Sequence, residues 1–188
     1  MIYHKSSNIA FHTCVEELKN GGIVIIPTDT VYGFSGLVDS AFECDKKIRK
    51  IKGRSVEKSF IRLIEKPEDI FLYTNDKIPD ALLSLWPAPL TIVVNDKLGG
   101  TCAYRCPDDK WLRELIASCA SPLYSTSVNR SGFPILSKID DIIREFESEV
   151  SLIVDAGDIE NLKPSTIVSI TDGIKVLRQG DVVLKEVL

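Results

Sequence analysis

The sequence predicts a single α/β domain, a twisted, mixed, open sheet with helices flanking it. Three observations predict it. Continuous apolar, β-branched runs such as "IVIIP" and "LTIVVN" read as strands buried on both faces. Segments with apolar residues at helical spacing are interleaved with those runs. Several strand candidates also follow one another with no helix between them, which argues for a mixed sheet and against a strict βαβ repeat. Residues 1–188 read as one domain with its core at about 10–182, and no internal repeat or low-complexity linker divides them.

The elements follow in chain order. Residues 13–20 ("TCVEELKN") predict a short helix, capped by Thr13 with Glu16 three residues on and stopped by Gly21-Gly22. "IVIIP" is the first strand, and it ends in the polar stretch "TDTVYGFSG". Residues 41–51 place Phe42, Cys44 or Asp45, Ile48 and Ile51 near helical spacing, with Gly53 as the stop. "SFIRLI" predicts a strand, and "DKIPDALLSLW" a helix broken by Pro87. "LTIVVN" and "TCAYRC" read as paired strands joined by a turn at Gly99-Gly100. "KWLRELIASC" predicts a helix, "PLYSTS" a strand and "IDDIIREFES" an acidic helix. "LIVDAG", "STIVSI" and "IKVLRQG" are the closing strands.

Composition narrows the function classes. The chain has 188 residues, 44% hydrophobic and 27% charged, which suits a globular protein. No apolar run approaches the roughly 18 residues of a membrane span. The N-terminus, "MIYHKSSNIAFH", has no hydrophobic signal core, so a cytoplasmic location is expected. The five cysteines form no paired CxxC ligands, and Cys102 and Cys106 read as small core residues on one side of a strand. His4 and His12 are the only histidines, which argues against a Ser-His-Asp hydrolase and against a histidine-rich metal site. No metal ligands are expected. The net charge of −4 hides an asymmetry. Nine basic residues lie between Lys46 and Lys66 against Glu57 and Glu65. That stretch reads either as a solvated helix face and loop or as an anion site for a nucleotide or RNA.

Polar motifs recur just after strands: Thr28-Asp29-Thr30, Ser125-Thr126-Ser127 and Ser165-Thr166. Ligands of open α/β sheets gather at such places. The densest motif is "YSTSVNRSG" at 124–132, which is either a Ser/Asn-rich turn or a wall of a site for phosphate oxygens. Nothing matches a Walker A loop, a G-x-G-x-x-G fingerprint or a kinase signature. The cations are distributed instead. Lys52 and Arg54 flank Gly53 in an expected loop, Lys58 follows, and Arg105 and Arg178 close strands. Cations at the ends of several strands suggest convergence on one polyanion. Triphosphate chemistry needs chiefly alignment and positive charge.

The segments "GGIVIIPTDTVYGFSG", "IKGRSVEKSF", "LWPAPLTIVV", "YRCP", "PLYSTSVNRSGFP", "PSTIV" and "VLRQG", in this order and spacing, resemble the YrdC family of threonylcarbamoyl-AMP synthases, also called the TsaC family. The resemblance runs from about Gly21 to Gly180. It implies a YrdC-like fold with a concave, positively charged face. It implies a nucleotidyltransferase that condenses L-threonine, bicarbonate and ATP, with Mg²⁺ accompanying the triphosphate, into threonylcarbamoyl-AMP and pyrophosphate. Partner proteins would carry the group on to tRNA. Position by position, Lys52 and Arg54 would hold ATP phosphates and act catalytically, with Lys58 beside them. Thr101, Ser127, Asn129 and Arg178 would also meet ATP, and Thr30, Arg105 and Ser165 the threonine. Two alternatives are a paralogue with a different or weak adenylating activity and a module for double-stranded RNA or tRNA. The chain departs from the family pattern at Ser55, where proline is usual, and at Lys58-Ser59-Phe60, where K-P-L or N-P-L is usual. Val128 stands within the usual S-A-N, and Ala88 where W-P-G-P has glycine.

Overall fold

A computed structural model describes residues 1–56, 59–160 and 163–184. Lys58, an expected ATP contact, lies outside the described residues. The strands are β1 (Ile2–His4), β2 (Val24–Ile26), β3 (Gly33–Leu37), β4 (Ile61–Leu63), β5 (Leu90–Asn95), β6 (Thr101–Arg105), β7 (Leu123–Ser127), β8 (Leu152–Asp155), β9 (Thr166–Ser169) and β10 (Lys175–Arg178). They form one sheet in the order β1-β8-β2-β3-β7-β4-β6-β5-β9-β10. Four pairs are parallel (β1/β8, β2/β8, β4/β6, β5/β9) and the rest antiparallel, so the sheet is mixed, as expected.

The helices are α1 (Asn8–Lys19), α2 (Cys44–Lys52), α3 (Asp80–Leu83), α4 (Lys110–Cys119) and α5 (Ile139–Phe146), with a 3₁₀ turn at Pro67–Leu72. α1 and α4 cover one face, where Cys14, Leu18, Leu112 and Leu115 pack on Val24, Ile26 and Leu123. α2 and α5 cover part of the other, where Ile48 and Phe146 meet Ile25, Phe34 and Ile153. The 3₁₀ turn and α3 close the rest of that second face over Ile92, Cys102, Tyr104 and Cys106. Both cysteines are therefore core residues.

The boundaries depart from expectation in several places, α2 among them, which runs Cys44–Lys52 instead of 41–51. α1 starts at Asn8 with Ser7 as its cap, Ser7 Oγ accepting the Ile9 N–H, so Thr13 is interior and caps nothing. The buried series Ala10, Cys14 and Leu18 sets the start, because it already runs at four-residue spacing from Ala10. α3 is four residues long, because Asp76 is turned to β5, where it accepts the Asn95 N–H at 2.7 Å. β1 is too short to leave a period and exists through its pairing with β8. β3, "GFSGL", has low strand propensity yet is buried throughout. A Cβ on Gly36 would lie 2.8 Å from the Cys44 Cβ, so only glycine lets α2 pack this closely.

Candidate active site

α1 and α4 leave one end of their face open. Alternation along the strands puts Ser125, Ser127, Gly33, Ile61 and Arg105 there. The opening is a cavity of about 180 Å³. Of the expected site residues, Thr30, Arg54, Arg105, Ser127, Ser165 and Arg178 line it. They come from six separate segments of the chain, and the sheet brings them together.

The turn after β2 is built by its own hydroxyls. Thr28 Oγ1 donates to the Val31 carbonyl at 2.8 Å, accepts the Thr30 N–H at 3.1 Å and lies 2.9 Å from Thr30 Oγ1. This fixes Thr30, which is 3% exposed, against Arg105, whose Nη1 donates to Thr30 Oγ1 at 3.0 Å. Nη2 of Arg105 donates to Asp29, and the second Asp29 oxygen accepts the Asp108 N–H at 2.9 Å. On the far side, Arg178 donates from Nε to the Ser165 carbonyl at 2.9 Å and from Nη2 to Ser165 Oγ at 3.2 Å. Ser165 Oγ also lies 2.8 Å from Thr91 Oγ1. Arg54 donates to Thr126 Oγ1 and to the Ser59 carbonyl, and lies over the Phe60 ring.

Lys52 and Asn129 stand beside the cavity without lining it. Lys52 closes α2 instead of lying in a loop, and Gly53 takes the left-handed cap with φ of 62°. The ammonium is buried and donates to the carbonyls of Ser127 and Asn129 and to Asn129 Oδ1. Asn129 Oδ1 in turn accepts from Ser127 Oγ at 2.8 Å. Thr101 is not brought to the cavity. It is exposed beside the Gly99-Gly100 turn, at the other end of β6 from Arg105. It shares the open face with Ser127 two strands away, about 10 Å at ordinary strand spacing.

The motif "YSTSVNRSG" divides its work. Ser125, Thr126 and Ser127 line the cavity, while Val128 is core. Arg130 turns away, pairing with Glu145 and Glu149 and donating to the Ile51 carbonyl. Several members of the basic stretch have partners within the chain. Lys46 pairs with Glu43, Lys47 donates to the Gly21 carbonyl, Arg62 pairs with Asp96 and Lys66 with Glu65. Lys46, Lys47 and Lys50 of α2 remain exposed. Thr28 and Ser125 line the cavity, and Asp29 and Thr91 hold residues that do; the sequence marked the first three only as parts of polar motifs and did not single out Thr91. The threonine pair two residues apart and the serine pair on one strand face were the available signals.

The electrostatics favour an anion. Arg54, Arg105 and Arg178 line the cavity, and no Asp or Glu among the described residues does. Burial opposes the charge of each. The neighbour Arg105 adds to this at Arg178, as Arg49 does at Arg54. Guanidinium stays protonated regardless, so the strain is relieved by binding negative charge. Among the described residues, no group of three or more His, Cys, Asp or Glu could hold a metal ion, and no helix is long and apolar enough to cross a membrane.

A mixed open sheet with three arginines lining one cavity defines an α/β domain with a cationic cleft. The Sua5/YciO/YrdC family model, described as telomere recombination, matches residues 16–180, and the chain belongs to that family. A Methanocaldococcus jannaschii relative, provisionally named a threonylcarbamoyl-AMP synthase, is 33% identical over 88% of this chain and 83% of its own. The human threonylcarbamoyl-AMP synthase is 28% identical over 80% of this chain and 57% of its own. The crystal structure of P. abyssi Sua5 complexed with L-threonine superposes with a TM-score of 0.83 at 26% identity, covering 94% of this chain and 56% of that one. The chain thus spans little more than half the length of the human and P. abyssi proteins.

Proposed function

We propose that the chain is a threonylcarbamoyl-AMP synthase domain, a nucleotidyltransferase that converts L-threonine, bicarbonate and ATP into threonylcarbamoyl-AMP, pyrophosphate and water. The observation that supports it most is the cavity lining. Thr30, Arg105 and Ser165, which would meet a small amino acid, and Arg54, Ser127 and Arg178, which would supply donors for phosphate oxygens, all line one cavity. The same names on relatives from archaea and humans support the reading.

In this reading, the threonine amine takes up bicarbonate to give a carbamate with loss of water. A carbamate oxygen then attacks the α-phosphorus and pyrophosphate leaves. No protein nucleophile is needed. The protein aligns the reactants and offsets developing charge. Arg54 and Arg178 face the triphosphate, and Lys52 supports Ser127 and Asn129 from behind. Mg²⁺ would travel with the ATP phosphates, since Asp29 is committed to Arg105 and the Asp108 N–H. The product would pass to tRNA-modifying partner proteins in the cytoplasm.

Pyrophosphate release from ATP and bicarbonate, with and without L-threonine and with serine and glycine as controls, tests the reading. Release that depends on threonine is the expected result. ATP binding without threonine-dependent release would favour the paralogue with another substrate.

A further inference from the structure

Asp29 stands behind the cavity and does not line it. Its side chain is 7% exposed and that of Arg105 5%. One Asp29 oxygen holds Nη2 of Arg105, and the other is fixed by the Asp108 N–H. Nη1 is held by Thr30. Nε of Arg105 is buried and has no partner among the described residues. A guanidinium is a rigid planar fork. Holding both terminal nitrogens therefore fixes the direction of Nε. Buried donors are seldom left without an acceptor, so an incoming ligand oxygen is what this one lacks.

We propose that Asp29 is a positioning residue for the amino-acid substrate. It pins Arg105 by its terminal nitrogens, so that the guanidinium meets the substrate carboxylate along its Nε edge. The inference rests on the synthase reading. Asp29 touches no substrate. It also balances the charge of Arg105 before any ligand arrives. Arg105 is close enough to oppose the charge of Arg178. An Arg105 without its carboxylate would be drawn to the triphosphate alongside Arg178. The pair keeps the two anions apart: the carboxylate is selected by donor direction, the polyphosphate by net charge.

Asp29→Asn in the intact chain is the test, because it keeps the shape and one acceptor. Asp29→Ala would leave a buried cation unpaired and damage the fold. The expected result is a KM for threonine raised about 10-fold or more, with the KM for ATP and kcat within about 2-fold. In an Arg105→Gln background the same change should add less than about 2-fold, because Asp29 acts through Arg105. A readout without substrate is the ¹⁵N side-chain spectrum, in which Arg105 Nη signals should be resolved in the wild type and averaged by rotation in Asp29→Asn. An equal rise in both KM values, a full additive effect on top of Arg105→Gln, or averaged signals in the wild type would each overturn the assignment. If the wild-type chain releases no pyrophosphate with threonine, the synthase reading fails. The spectrum alone then decides the clamp, resolved signals upholding it and averaged ones removing it.

Discussion

The Lys52 ammonium lies 2.9 Å from both the backbone carbonyl and the side-chain Oδ1 of Asn129. The Ser127 carbonyl completes its shell at 2.5 Å. Lys52 therefore ties the end of α2 to the chain leaving β7, and the Ser131 N–H returns the tie to the Lys52 carbonyl at 2.7 Å. Lys52→Ala should abolish pyrophosphate release and also lower stability by about 1–3 kcal/mol, since buried acceptors lose their donor. Urea unfolding checks the second part. An unchanged midpoint and slope would show that the tether carries no weight.

The same burial makes Lys52 sensitive to pH. Burial, and then Arg54, pull its ammonium down to about 7 from 10.5. The oxygens of Ser127 and Asn129 and the Phe34 ring at 5.4 Å face it, and no carboxylate does among the described contacts. Between those two values the unfolded chain holds a proton that the folded chain has released. This group's share of stability therefore rises with pH across that window and is lowest below it. A bound triphosphate favours the charged form. ATP binding at pH 8 should thus take up a proton that is already present at pH 6. Calorimetry in buffers of different ionisation enthalpy measures the uptake. Uptake that persists in Lys52→Met would assign it to another group.

The open face predicts its own weak point. A Cβ on Gly33 would lie 3.0 Å from Ser125 Oγ and project into the cavity. Gly33→Ala should fold with little loss and raise the ATP requirement about 10-fold, the scale of one misplaced methyl in a pocket. Steady-state kinetics beside a thermal melt separates the two effects. A normal ATP requirement in a folded variant would place the nucleotide elsewhere.

Much of this was legible in the sequence, and what was hidden has physical causes. α4 and the β5–β6 hairpin matched their expected residues because period and turn chemistry agree there. β3 was hidden because its glycines serve close packing, not strand propensity. In the site, "PTDTVYG", "YRCP", "STS" and "PST" marked the cavity wall. Motifs, however, name side chains and not their partners. Lys52 read as a loop cation, yet helix α2 and three oxygens bury it. Arg130 read as part of a ligand site, yet two glutamates claim it. Thr101 followed from the resemblance; it does not line the cavity but shares its open face two strands from Ser127.

Thr91 offers a test of how the amino-acid side is held. It is fully buried on β5, and its hydroxyl lies 2.8 Å from Ser165 Oγ, which also accepts from Arg178. Ser165 is therefore fixed from two sides, by a core hydroxyl and by the guanidinium proposed for the nucleotide. Thr91→Val keeps the shape and removes the hydroxyl, at a cost of about 1 kcal/mol of stability. Ser165 keeps Arg178 but can rotate about its Cα–Cβ bond. The threonine requirement should rise several-fold, about 3- to 10-fold for the loss of one neutral hydrogen bond, with ATP less affected. Ser165→Ala should act on both substrates, because it removes the amino-acid contact and a partner of Arg178 together. Kinetics on the two variants decides it. If Thr91→Val shifts ATP more than threonine, the Ser165–Arg178 contact serves the nucleotide, and Ser165 belongs to that side of the cavity.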